Sequence, residues 1–332
     1  MPGRTAELAG ALGGRSCCFF PPGGRRPPVL VRWAVSAAVT VVDVVRHRPR
    51  WVVVTNPPLP AALVAWAVGR AVGARVALDS HPGGFGAQGD RVAARLQPVH
   101  RWLVRRSEFS IVAADTWRRR VESWGGRAVV VHEAPGDWEL GPPGRHDRLR
   151  VLYVGRFADD EPWQAVVEAA AAVPRCDIRM TGEERRLGAG CRSWPGNVDL
   201  VGYLDPAAYR QAVLDADVVL CLTTEPGSVM RAACEAVWAG RPLVVSDWPV
   251  NRELFPHAVH VANRGSSVAD GIRCADADFD RLAGAAPAAR QEQWERWQRQ
   301  LDDLLDHLSL PSPSARGRGS RSSTGGRVPC AG

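Results

Sequence analysis

Short apolar runs recur along the chain, each bounded by turn residues and separated from the next by a stretch of helical periodicity. In the first half the runs are Trp51 to Thr55, Arg75 to Asp79, Phe109 to Ala113 and Ala128 to His132. Helical patterns fill the gaps at Pro60 to Val72, Asp90 to Ser107 and Thr116 to Trp124, with Asp115 placed to cap the last. Apolar residues within the runs do not alternate with polar ones. Continuous apolar strands separated by helices predict a parallel sheet covered on both faces.

Glu133 to Asp147 (EAPGDWELGPPGRHD) interrupts the pattern, rich in Pro and Gly and without periodicity, and reads as an interdomain linker. The alternation then restarts. Strands are expected at Leu149 to Val154, Asp177 to Met180, Val198 to Val201, Asp217 to Leu222 and Pro242 to Ser246. Helices are expected at Pro162 to Val173, Pro206 to Leu214 and Ser228 to Trp238, the last stopped by Ala239-Gly240. The fold class is therefore α/β, with two Rossmann-like doubly wound domains facing a cleft. The first spans residues 1–132, the linker 133–147 and the second 148–286. A helix at 287–308 carries Trp294, Trp297, Leu301, Leu304, Leu305 and Leu308 on one stripe, and a Ser/Gly/Arg/Pro-rich tail at 309–332 is expected to be disordered. A chain of 332 residues suits two domains of about 150 residues each.

Bulk chemistry narrows the partners. The net charge is +7 and every basic residue is Arg, which together with heavy use of Ala, Gly, Val and Pro reflects coding bias as much as function. A basic balance suits nucleotide diphosphates, lipid phosphates or an anionic membrane face. No zinc-finger, RRM or helix-turn-helix signature points to nucleic acid. The eight Cys form no C-x2-C pair and read as reduced core thiols of a cytosolic protein. The first 20 residues lack the continuous apolar stretch of a signal peptide. The longest apolar run, Val29 to Val45, contains Arg32 and Asp43 and falls short of a span of about 20 residues.

Chemistry concentrates between Asp217 and Pro256. A strand stops at the polar turn Thr223 to Ser228 and a helix follows, so free backbone N–H groups and the positive helix end face whatever lies above the strand ends. That is a ready site for a diphosphate. Glu235 sits inside this helix among apolar and small residues, where a carboxylate needs a partner such as a sugar hydroxyl pair. The segment resembles the donor-binding motif of family 4-like GT-B glycosyltransferases. The pattern E-A-x-x-x-G-x-P-L-V-V-S-D is kept from Glu235 to Asp247, and the resemblance implies that Glu235 contacts the ribose. The family's first glutamate, eight positions earlier, falls on Gly227, and Glu225 is two residues off. Gly227, Ser228, Val229 and Met230 then become the diphosphate-facing helix start. The resemblance also extends to Gly155-Arg156, after the strand LRVLYV, where the Arg pairs with the diphosphate. The usual Lys is replaced by Asp159-Asp160-Glu161-Pro162. In related enzymes the turn matching Asp199 to Asp205 holds the base, which makes Val201, Gly202 and Tyr203 candidates; an ordinary strand–turn explains the same residues.

The first domain resembles β-mannosyltransferases acting on chitobiosyl-diphospho-dolichol. The shared order is Asn56-Pro57-Pro58, an apolar helix, the turn Gly73-Ala74-Arg75, a strand, then Asp79-Ser80-His81 and a Gly/aromatic loop ending near Phe85. Asp79 or His81 could accept the proton from an attacking hydroxyl; the alternative is that Asp79 caps the turn and His81 orients the loop. In GT-B proteins the last helix braces the first domain, a role that suits the helix at 287–308. Such proteins also open with a strand, whereas here Arg4 to Leu12 reads as the first helix and Ser16 to Phe20 as the second strand, so the first strand is expected to be missing, with a sheet edge exposed.

The implied activity is glycosyl transfer from a nucleoside diphosphate sugar to an acceptor hydroxyl, the acceptor a saccharide or a lipid-linked saccharide at the cytosolic membrane face. Arg25-Arg26, Arg46, Arg48 and Arg50 surround the apolar helix Val29 to Val45, and Arg101, Arg105 and Arg106 share a helix with Trp102, which suits peripheral contact with the inner face of the cell membrane. A buried helix with solvated ends explains the same pattern. Asp215-Ala216-Asp217 and Asp276-Ala277-Asp278 read as solvated turns or caps, so neither a metal nor another cofactor is expected. Two rivals share the fold: a sugar-nucleotide 2-epimerase and a non-catalytic nucleotide-binding or partner protein. Retention and inversion both remain open.

Overall fold

The computed structural model describes residues 3–17, 28–87, 91–139, 144–187 and 194–310. Its first sheet holds four parallel strands, β1 (Trp51–Asn56), β2 (Arg75–Ser80), β3 (Phe109–Val112) and β4 (Ala128–Val130), in that spatial order. Past Arg75, every residue of β2 and β3 is buried, which is why their apolar runs do not alternate. Among the described residues β1 has a strand partner on one side only. Ser16 and Cys17 of the expected second strand take no regular structure, and its other residues lie outside the described ones.

Helices Leu59–Ala71 and Asp115–Ser123 cross between β1 and β2 and between β3 and β4. The single basic helix expected before β3 is two, Arg91–Arg95 and Gln97–Arg106, because Pro98 has no N–H to continue the ladder past Leu96; Asp90 lies outside the described residues. Asp115 does not cap its helix. It is the first helical residue, and its carboxylate pairs with Arg118 and Arg119 instead.

The second sheet has six parallel strands: β5 (Arg150–Tyr153), β6 (Asp177–Thr181), β7 (Val198–Gly202), β8 (Val218–Cys221), β9 (Leu243–Ser246) and β10 (Val259–Val261). Their order is β10-β9-β8-β5-β6-β7, so the winding reverses between β5 and β8 and opens a crevice above their C-terminal ends. Residues 131–139, the described segment that leaves the first sheet, are anchored rather than loose. Trp138 is buried, Arg210 stacks on its ring at 4.8 Å, and Arg290 donates to the carbonyls of Trp138 and Trp238.

The last helix runs Phe279–His307, eight residues earlier than its expected start at Pro287. Alanines on both sides of Pro287 let the helix pass. Leu282 packs into the second domain, while Leu304 and Leu308 join Ala77, Phe109, Ile111 and Val129 beneath the first sheet. The helix Arg4–Ala11 adds Leu8 to that same layer. Trp294, expected on the buried stripe, is exposed. Ser309 and Leu310 still bond back to the last helix turn; residues 311–332 lie outside the described ones.

The helix Val29–His47 rests on Leu59–Ala71 but turns most of its length outward. Val31, Trp33, Val35, Val39, Val41, Val42 and Val45 are all exposed, so it is not the buried helix that one reading of its pattern allowed. Among the described residues no helix is long and apolar enough to cross a membrane. The thiols divide: Cys176, Cys221 and Cys234 are buried, Cys17 and Cys274 are exposed, and Cys18, Cys191 and Cys330 lie outside the described residues, as do Arg25 and Arg26.

Candidate active site

A cavity of about 510 Å³ lies above the C-terminal ends of β5, β6, β7 and β8, at the reversal in strand order. Of the residues expected at a donor site, Gly155, Arg156, Gly202, Tyr203, Ser228, Val229, Met230 and Glu235 line it. Val201 and Gly227 do not. Val201 stays within β7, and the Gly227 carbonyl accepts a hydrogen bond from Trp117 Nε1 of the first domain at 2.7 Å. That bond also explains why the helix begins at Arg231 and not at Ser228: the preceding segment is held out as a loop, with Met230 in an extended conformation.

Gly155 is required by contact. A Cβ there would sit 2.6 Å from the ring of Tyr153, over which the loop runs. Beyond it, the Arg156 side chain lines the cavity and is 65% exposed, with its Nε 3.7 Å from Glu161 Oε1. Glu161, within the Asp159 to Pro162 stretch that replaces the expected Lys, is buried, and its Oε2 accepts the backbone N–H groups of Arg156 at 2.5 Å and Ala158 at 3.2 Å. A carboxylate of the chain thus occupies the loop donors that a phosphate would otherwise use.

Glu235 has protein partners that the sequence did not name. Tyr209 donates its hydroxyl to Oε2 at 2.6 Å and Arg231 Nε binds Oε1 at 2.8 Å. Burial first, and then the Glu235 charge, hold the Tyr209 phenol far above its ordinary range, so it stays a donor. Arg231 continues to Glu7 at 2.6 Å and Glu133 at 3.3 Å. Burial works against the Arg231 charge, but Glu7 and Glu235 outweigh it.

On the facing domain, the parallel register sets Thr55 beside Asp79 and Asn56 beside Ser80. The Asn56 carbonyl accepts the His81 N–H at 2.8 Å, and Gly84 N–H bonds the His81 carbonyl at 2.9 Å. His100, which the sequence reading passed over, fastens the loop from below. Its Nδ1 lies 2.9 Å from the Gly84 carbonyl, which can only accept, so Nδ1 carries the proton. Nε2 then accepts from Asn56 Nδ2 at 2.9 Å. Burial drives the His100 pKa down to about 4. Phe85 of the same loop stacks on Trp117 at 4.8 Å, so one tryptophan joins the acceptor-side loop to Gly227.

Asp79 is buried, and Arg4 binds its Oδ1 at 3.2 Å; His81 Nε2 lies 3.4 Å from Oδ2, an ion-pair distance without hydrogen-bond geometry. Burial opposes its charge, yet Arg4 and His81 hold the carboxyl below its ordinary range. The Asp-x-Asp strings are tied down. Asp217 is fully buried, not solvated, accepting from Arg150 N–H and His146, while Asp276 and Asp278 pair with Arg145 and Arg281.

Residues 159–306 match a family model described as glycosyl transferase-like. No curated protein sequence is significantly similar to the chain. Among solved structures, sucrose-phosphate synthase from Thermosynechococcus elongatus superposes with a TM-score of 0.69 at 17% identity, covering 86% of this chain and 80% of that one. HepE from Anabaena, in complex with UDP and glucose, gives 0.63 at 16% identity over 86% and 84% of the two chains. The UDP-forming α,α-trehalose-phosphate synthase from Burkholderia vietnamiensis gives 0.60 at 14% identity over 86% and 81%.

The chain has the GT-B fold. The cavity therefore belongs to the second of two GT-B domains, and the Asn56–Asp79–His81 cluster to the first. A second recess of about 690 Å³ lies between the domains, lined among others by Asp115, His132, Glu253 and Arg299. It includes none of the expected site residues.

Proposed function

We propose that this GT-B protein transfers a sugar from a nucleoside diphosphate donor to an acceptor hydroxyl, without a metal. The observation that carries this is the 510 Å³ cavity at the reversal point, with the exposed Arg156 guanidinium at its edge and Glu235 buried at its wall. Glu235, oriented by Tyr209 and Arg231, is the residue for the ribose hydroxyls. Arg156 neutralises the leaving diphosphate. On the acceptor side, the Asp79 carboxylate is committed to Arg4, so His81, one-third exposed, takes the proton from the attacking hydroxyl and Asp79 steadies its ring. The exposed valine face of Val29–His47, with Arg46, Arg48 and Arg50 at its end, supports an acceptor carried at a membrane surface.

A thermal-shift screen with UDP, GDP, dTDP and ADP, with and without EDTA, tests the donor reading. Saturable stabilisation by one diphosphate, insensitive to EDTA and lost in Glu235→Ala, is the expected result. Equal stabilisation of Glu235→Ala would remove Glu235 from the site, and no shift with any diphosphate would refute the donor site itself.

A further inference from the structure

The donor cavity contains an acidic residue whose role neither the expected ribose nor the expected diphosphate contact explains. Asp160 lines it and is 8% exposed; no described residue donates to its carboxylate, whose oxygens stay open to the cavity. Its neighbour Glu161 spends its carboxylate on the loop N–H groups. The Asp160 main chain is fixed, since its carbonyl accepts Thr224 N–H at 2.7 Å and the Thr224 hydroxyl at 3.2 Å. Asp160 therefore stands against the very loop, Thr223 to Met230, that carries Gly227. Beneath the adjoining Gly155, the buried Tyr153 hydroxyl also lacks a partner.

A carboxylate that faces a cavity without a protein donor must be given donors by any ligand that displaces solvent there. A phosphate cannot give them: it offers only acceptors at neutral pH, and its charge would repel Asp160 and Glu161 alike. A divalent cation would need further ligands, and among the described residues no group of three or more His, Cys, Asp or Glu is arranged to hold one. Vicinal sugar hydroxyls supply donors and carry no charge. We propose that Asp160 is the residue that reads the hydroxyls of the transferred sugar. This rests on the cavity being a nucleotide-sugar site. Carboxylate Asp160 selects for the sugar on the donor, and Glu161, by occupying the loop donors, keeps the diphosphate nearer Arg156.

The experiment compares wild type, Asp160→Asn and Asp160→Ala by calorimetric titration in EDTA, using UDP against UDP-glucose and GDP against GDP-mannose. Wild type should bind one sugar nucleotide more tightly than the matching bare diphosphate. Asp160→Ala should weaken the sugar nucleotide on the order of tenfold or more, as expected for losing hydrogen bonds to a charged group, with the bare diphosphate within about twofold. Asp160→Asn retains one acceptor oxygen and should fall between; it keeps the shape of the side chain, so it folds if the wild type does. Tighter binding of bare diphosphate in either variant would place Asp160 beside the phosphates and overturn the assignment. So would a wild-type sugar preference that appears only when Mg²⁺ replaces EDTA. Equal affinities for the sugar nucleotide in all three proteins would overturn it while leaving the donor site intact, whereas failure of wild type to bind any diphosphate would overturn both.

Discussion

Lowering the pH from 7 to 5 should cost this protein about 4 kcal/mol of stability through one buried and one part-buried histidine. His100 titrates near 4 in the fold and His132 near 3, against 6.5 for a free imidazole. Burial is the main cause for both; at His132 the charges of Arg296 and Arg4 add to it, while at His100 the Gly84 carbonyl partly offsets it. Each ring stays neutral in the folded state down to its depressed value, whereas the unfolded chain protonates it from 6.5 downward. The unfolded state therefore binds more protons throughout this window, and stability falls as pH falls. Between pH 7 and 5 each histidine contributes about 2 kcal/mol of that loss. Urea unfolding at pH 7, 6 and 5, with His100→Gln beside wild type, measures it. The glutamine can donate to Gly84 and accept from Asn56 but cannot titrate, so the loss should shrink to about 2 kcal/mol, roughly the share of His132 alone. A His100→Gln protein that loses as much stability as wild type between pH 7 and 5 would refute the argument that His100 is held neutral.

Two further perturbations test how the cleft is built. Gly84→Ala places a methyl 2.9 Å from Asn56 Nδ2 and 3.0 Å from the Asn56 carbonyl, which His100 and the His81 N–H hold in place; the variant should lose about 1–3 kcal/mol in urea unfolding and displace His81, a change visible in its histidine NMR signals. Trp117→Phe keeps a ring against Phe85 but deletes the bond to Gly227, and should cost about 1 kcal/mol and weaken diphosphate binding, read by the same titration used for Asp160.

Which features the sequence discloses follows from how far each one reaches along the chain. The parallel strands were readable because a buried strand writes itself as a continuous apolar run, as RVALD and DVVLCL do. Helix limits were less readable, since tertiary contacts set them: Trp117 holds back the start of Arg231–Trp238, and alanine-rich flanks carry Phe279–His307 through Pro287. Glu235 stood out as a carboxylate in an apolar helix, and Arg231, four residues earlier on the same face, was a partner available to the same reasoning. His100 carried a weaker signal, a lone histidine on the buried face of a basic helix. Asp160 was visible only as a departure from a family pattern, and its lack of partners has no trace in the sequence.

The least readable feature is the one that joins the two halves. Asp79 binds Arg4, Arg4 binds Glu133, Glu133 binds Arg231, and Arg231 binds Glu235. Arg4 and Asp79 are 75 residues apart, Arg231 and Glu7 are 224 apart, and no periodicity within an element records such pairs. Yet this chain of charges fixes what each candidate residue can do. Arg4 keeps Asp79 ionised and occupied, which leaves His81 as the group with a free face. Arg231 carries three carboxylates, Glu7, Glu133 and Glu235, whereas the more exposed Arg156 meets Glu161 at the longer distance of 3.7 Å and is the more available cation for a diphosphate. A ligand that pulled Arg231 toward itself would leave Glu7 uncompensated in a partly buried position and Glu133 with Arg4 alone. The arrangement therefore favours a donor that meets Glu235 through neutral hydroxyls and presents its phosphates to Arg156, and it makes the contact between the domains a condition for holding Glu235 in place.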